Sequence, residues 1–165
     1  MAAGLSLSDN GRATRPKGLQ WSAATVDLEP VSVSKLEEFA SVFDPTEEEA
    51  ILLDSLITGV RQLVEKRVRR LLARREVTAY WSEAPHEVRL PLPPHGTVQE
   101  VRRYLGTGET EVVPTDDWHT KGTERLSLVV GKPLGHGVEV VFTAGYEALP
   151  AGLKMQMMRD IKTRF

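Results

Sequence analysis

Residues 64–82 read Val-Glu-Lys-Arg-Val-Arg-Arg-Leu-Leu-Ala-Arg-Arg-Glu-Val-Thr-Ala-Tyr-Trp-Ser, and a change of period inside this stretch decides the fold. On its upstream side Leu53, Leu56, Ile57, Val60, Val64, Val68, Leu71 and Leu72 recur mostly three and four apart, the spacing that lines one face of an α-helix. From Val77 onward the apolar residues alternate instead: Val77, Ala79 and Trp81 stand between Thr78, Tyr80 and Ser82, the two-residue period of a half-buried strand. The chain therefore passes from helix to strand near Glu76, and the spacing predicts a long helix over about 46–74.

Working outward toward the N-terminus, the long helix has two readable starts. Asp44 can cap it with Pro45 at the first helical position, or Thr46 can cap it with Glu49 three residues on; both give the same helix. Ser34-Lys35-Leu36-Glu37 is a capping box for a shorter helix before it, with Leu36, Phe39, Ala40 and Phe43 on one face. Residues 1–30 hold scattered Gly, Pro, Ser and charges without an apolar period and read as a flexible arm, leaving 31–165 as the folded domain. Trp21 is the arm's one large aromatic, equally suited to folding back on its own domain or to gripping a neighbour.

Toward the C-terminus, strands are expected at 87–92, 98–105, about 111–113, 126–130 and 138–143, separated by Pro-Pro, Gly-Thr-Gly and Gly-Lys-Pro turns. A last helix follows Pro150, with Leu153, Met157 and Ile161 four apart and Met158 beside them. The fold class is then α+β: a small helical bundle with a long central helix, packed beside an antiparallel sheet or hairpin region, and a C-terminal helix. Its expected core is Phe39, Leu53, Leu56, Ile57, Val60, Val64, Leu71, Trp81, Val129, Val140 and Phe142.

Composition fits this reading. A chain of 165 residues with 41% hydrophobic and 27% charged residues can bury one core. Its net charge of −2 gives no global pull toward nucleic acid or acidic membranes, so any DNA contact must come from a local patch. The absence of cysteine removes disulfides and thiolate chemistry and suits a reducing cytoplasm. No apolar run reaches the length of a signal-peptide core or a membrane span.

Residue patterns that carry chemistry are few in this chain. His86, His95, His119 and His136 stand at no standard metal-ligand spacing. Asp116 and Asp117, beside Trp118 and His119, are adjacent carboxylates that would point apart on extended backbone; a turn followed by a strand explains them better. Gly106-Thr107-Gly108 lacks the Lys-Ser/Thr of a phosphate loop, and there is no Gly-x-Ser-x-Gly elbow. No catalytic, cofactor or metal residue is assigned, and the expectation is a non-enzyme. The basic stretch Arg61, Lys66, Arg67, Arg69, Arg70, Arg74 and Arg75 complements the helix dipole and solvates its outer face; phosphate contact is the minority reading.

Several segments together resemble the head-to-tail connector (adaptor) proteins of long-tailed double-stranded DNA phages and related gene-transfer particles. They are Val33-Ser34-Lys35-Leu36-Glu37, the acidic start Thr46-Glu47-Glu48-Glu49, the basic helix end from Val64 through Arg75, and Leu90-Pro91-Leu92-Pro93-Pro94 with the strand Val98 to Leu105. The most specific is Phe142-Thr143-Ala144-Gly145-Tyr146 followed by Pro150 and a helix opening Leu153-Lys154. The likeness spans about 33–160.

That resemblance implies a structural subunit in a closed ring, expected to hold twelve copies, below the portal. There it would extend the DNA channel and offer a docking face to a neck, stopper or tail protein. Its partners would be itself, the portal and the tail-side protein, with only transient contact to passing DNA and none to a membrane. Its place would be the neck of the virion, and the host cytoplasm during assembly. By the family's habit the C-terminal segment docks the portal, making Met155, Met158, Arg159, Lys162, Arg164 and Phe165 candidates. Arg67, Arg70 and Arg74 are candidates for subunit, portal or channel contact, and Trp21 for arm contact. Competing readings are a DNA-binding assembly module using the arginine-rich helix end, and a small metal-dependent hydrolase using Asp116, Asp117 and a histidine.

Overall fold

The computed structural model describes residues 12–13, 16–21, 30–40, 45–83, 86–123, 125–131 and 136–164. The chain divides into two compact units, one of residues 1–22 and 75–145, the other of residues 23–74 and 146–165. The first is built from strands, the second from helices, so the α+β class expected from the change of period is the one observed.

The β-unit contains β1 (Arg12–Ala13), β2 (Gly18–Trp21), β3 (Arg75–Trp81), β4 (Glu87–Arg89), β5 (His95–Tyr104), β6 (Thr110–Val112), β7 (Trp118–Lys121), β8 (Ser127–Val130) and β9 (Val138–Ala144). A five-stranded sheet has the order β2-β3-β9-β5-β6 and a four-stranded sheet the order β1-β4-β8-β7. Every pairing among the described residues is antiparallel except the two-residue β1–β4 contact. The central strands β3 and β9 bury alternate side chains, as the two-residue period requires: Val77, Ala79 and Trp81 on one, Val138, Val140, Phe142 and Ala144 on the other. Each large buried side chain here contributes about 1.5–3 kcal/mol through removal of apolar surface from water.

Two features of this unit escape a reading by period. β2 forms an edge of the five-stranded sheet within the segment read as an arm, with Trp21 paired to Val77, although the side chain of Trp21 lies outside the described residues. His95 ties the loop before β5 to β8. Its Nδ1 accepts the Leu126 backbone N–H at 2.9 Å. The proton must then sit on Nε2, which donates to the Pro91 carbonyl at 2.9 Å. The ring also meets Phe142 edge-on, with centroids 5.8 Å apart.

The helical unit holds α1 (Val33–Ala40), α2 (Glu47–Val68) and α3 (Ala151–Lys162). Of the two starts readable for α2, the structure uses Thr46: its hydroxyl accepts the Glu49 N–H at 3.3 Å while the Glu49 carboxylate accepts the Thr46 N–H at 2.8 Å. That bond to the Thr46 backbone, and next the one to its hydroxyl, hold the Glu49 carboxyl below its usual range. α1 starts two residues earlier than its sequence signal, because Ser32 rather than Ser34 supplies the oxygen that accepts the Lys35 N–H, at 3.4 Å. The helical core gathers Val31, Leu36, Leu53, Ile57, Val60, Leu72, Met157 and Ile161.

The end of α2 corrects the expected boundary near residue 74. The helix stops at Val68, and Arg69 adopts the left-handed conformation (φ 53°). Glu65 enforces the stop, since one carboxylate oxygen accepts the Leu72 N–H at 2.8 Å and the other binds Arg61 at 2.9 Å. Leu71 and Leu72 are buried as their apolar character demands, but beyond the turn rather than on the helix. Of the expected core, Leu53, Ile57, Val60, Leu71, Trp81, Val140 and Phe142 are buried, while Leu56, Val64 and Val129 are half-buried. The side chain of Phe39, and all of Phe43, lie outside the described residues.

Candidate assembly surfaces

Because α2 ends at Val68, the arginine-rich stretch is not one helical face. Arg67 lies in the last helical turn and is exposed. Arg70 follows the turn and donates to the Tyr146 hydroxyl at 3.1 Å, half-buried. Arg74 pairs with Glu147 at 3.5 Å, with the carboxylate 86% exposed, an ion pair of small net value. Arg61, read as one more solvated cation, is 3% exposed; its spacing from the apolar positions gave no sign of this, because a period analysis scores arginine as polar. The signal that could have found it is Glu65 four residues on, a helical ion-pair spacing.

The segment Phe142 to Tyr146 has a structural reason for its composition. Phe142 and Ala144 are buried in β9, and Gly145 takes φ +106°, where a side chain would be strained. Its N–H donates to the Pro94 carbonyl at 2.9 Å. Tyr146 then packs at the helical core and receives Arg70. Pro150 precedes α3 as its N-cap residue.

α3 runs back along α2. Tyr146 and Glu147, just before α3, meet Arg70 and Arg74 just after α2, while Arg164 past the far end lines a groove with Ser55, Leu56, Gly59, Val60 and Leu63. The groove encloses about 220 Å³. Met157 and Ile161 are buried and Leu153 is partly so. Met155, Arg159, Lys162 and Arg164 are exposed, whereas Met158 is half-buried against the helical core. Phe165 lies outside the described residues.

α2 carries two apolar seams, each spaced four, three and four. Leu53, Ile57, Val60 and Val64 face the core. One residue back, Leu52, Leu56, Gly59 and Leu63 form a second seam, in which Leu52 is 51% and Leu63 53% exposed. A side chain added at Gly59 would meet nothing within 4 Å.

For chemistry, Asp116 and Asp117 sit on an exposed single turn, Thr115–Asp117, and His119 is exposed on β7. Among the described residues there is no group of three or more metal-ligating side chains, and no helix is long and apolar enough to cross a membrane.

No protein-family model and no curated protein matches the sequence. Solved structures do match its fold. A chain in the neck of an empty gene transfer agent (GTA) particle, computed with C6 symmetry, superposes with a TM-score of 0.72 and 21% identity, over 88% of this chain and 82% of that one. A chain in the virion of a native gene transfer agent particle gives 0.69 and 21% over the same shares. One in the neck of a native GTA particle computed with C12 symmetry gives 0.67 and 20%, over 89% and 81%. The protein shares its fold with these chains.

Proposed function

We propose that this chain is a structural, non-catalytic subunit of the neck of a phage-like particle, a head-to-tail connector that forms a closed ring beneath the portal, extends the DNA channel and docks the tail-side protein. The observation that carries this reading is the match to chains of GTA neck structures over nearly the whole length, both units included. The C6 and C12 symmetry of those necks fits a protein that works as one of many copies. The chain's own chemistry is in keeping: the buried Arg61 pairs with Glu65, whose other carboxylate oxygen accepts the Leu72 N–H at the end of α2, a structural use of both charges.

In this reading the last turn, with Arg164, meets the portal. Deleting the C-terminal segment from Arg159 onward would remove Ile161, which is fully buried in the helical core. Removing residues 163–165 spares it. The test is electron microscopy and co-purification of the full chain with portal. Rings stacked on the portal are expected, with binding lost in the short truncation and helical content kept. A full-length chain that neither forms rings nor binds portal would overturn the reading.

A further inference from the structure

In the second seam of α2, Leu56 rests on the helical core and Arg164 borders the groove, but Leu52, Gly59 and Leu63 are exposed, and the charges at the two ends of the seam indicate what covers them. It begins at the acidic turn Glu47, Glu48, Glu49 and ends at Lys66 and Arg67. Resting on the ring reading above, a neighbouring copy is turned about the ring axis by about 30° to 60°, so equivalent helices cross at no more than that angle and run in the same sense. Seam against seam would then set acid on acid and base on base. The neighbour must present a different element, basic where α2 is acidic.

The outer face of α3 meets that requirement. It starts with Ala151 and Gly152, carries the exposed Met155, and ends with Arg159 and Lys162. α3 is antiparallel to α2 within the subunit, so a neighbour's α3 approaches α2 in nearly the same sense. We infer that the outer face of α3 of one copy seats on the Leu52–Leu63 seam of the next, a head-to-tail contact of the kind that closes rings.

With Met155 level with Leu56, its side chain leans toward its own N-terminus and so over Gly59, where the missing side chain leaves a groove. Methionine is long and flexible enough to fill an irregular gap. Four residues on, Arg159 falls at Leu52, and seven on, Lys162 falls beside Glu48 and Glu49. This assigns Met155, Arg159 and Lys162 to the neighbouring subunit rather than to the portal.

The absence of cysteine makes the test specific. A Gly59→Cys chain mixed with a Met155→Cys chain and a short bis-maleimide should give covalent dimers, and either chain alone only background. Placing both cysteines in one chain should give a ladder that stops at the ring size. Glu48→Lys in the first chain should lower the dimer yield about two- to fivefold, the range of a rim charge pair, with Lys162→Glu in the second restoring it. Gly59→Gln, which improves helix propensity, should abolish assembly while leaving the subunit folded. Dimers from the Gly59→Cys chain alone would show seam on seam and overturn the inference. Rings of the unmodified chain without mixed dimers would overturn it too, yet leave the ring reading standing; neither rings nor dimers would sink both.

Discussion

Replacing Glu65 by alanine removes two things at once from the end of α2: the acceptor for the Leu72 N–H at 2.8 Å and the carboxylate facing Arg61 at 2.9 Å. Arg61 and Glu65 side chains are only 4% and 10% exposed, so water does little to compensate. Taking one partner from a buried ion pair costs about 3–5 kcal/mol, and a buried N–H left without its acceptor falls within the same order. That is a large part of the about 5–15 kcal/mol that holds a typical domain folded. The assay is urea unfolding followed by far-UV circular dichroism, which reads the helices; Trp81 and Trp118 are in the β-unit and report it separately by fluorescence. At about 2 kcal/mol per molar urea, the helical midpoint should fall by about 1.5–2.5 M. Glu65→Gln, which keeps an acceptor for Leu72, should fall less, and Arg61→Met with Glu65→Gln should recover part of the loss, since a buried ion pair can be exchanged for apolar packing. A fall below about 0.5 M in Glu65→Ala would mean that the end of α2 is held by something other than this carboxylate.

In the β-unit, His95→Ala removes the acceptor of the Leu126 N–H and should cost about 1–3 kcal/mol, measured as a lowered tryptophan-fluorescence midpoint. Gly122 stands at φ +100°, where an added Cβ would lie 2.5 Å from the Arg125 carbonyl oxygen; Gly122→Ala should destabilise by at least about 1 kcal/mol, and an unchanged midpoint would show that the turn can shift. Glu49 is held below its ordinary pKa of 4.5, so its contribution is fully present above that value and is lost as the pH falls through the lower folded value. Helical ellipticity should show that acid step in the native chain and lose it in Glu49→Gln. Truncation after Asp160 should unfold the helical unit because Ile161 goes with it, whereas truncation after Lys162 should leave its ellipticity nearly intact.

What the sequence made legible were features written in short-range spacing. The capping pair Thr46 and Glu49, the alternation along β3, and the helix after Pro150 all follow from residues within a turn or two of each other. The helix end was misplaced for the same reason: Leu71 and Leu72 continue the apolar period, and only the long reach of Glu65 to the Leu72 N–H shows that the chain has already turned. β2 was invisible because Gly18 to Trp21 is too short to show a period and gains its partner some sixty residues later. Among the candidate residues, exposure of Met155 and Arg159 was readable from their place opposite Leu153, Met157 and Ile161. The engagement of Arg70 with Tyr146 was not, since nothing local joins them.

The order of segments has a consequence for synthesis. The chain visits the β-unit, the helical unit, the β-unit again and the helical unit again, so neither unit is contiguous. A ribosome that has released residues 23–74 has delivered Leu53 and Ile57 but not Met157 and Ile161, which arrive about a hundred residues later. The strands can complete their pairing first; the helices must wait until Met157 and Ile161 emerge. During that interval α2 has α1 but not α3 to cover its core seam, and a chaperone or an already finished copy of the protein is the surface on which the rest of its apolar residues can lie.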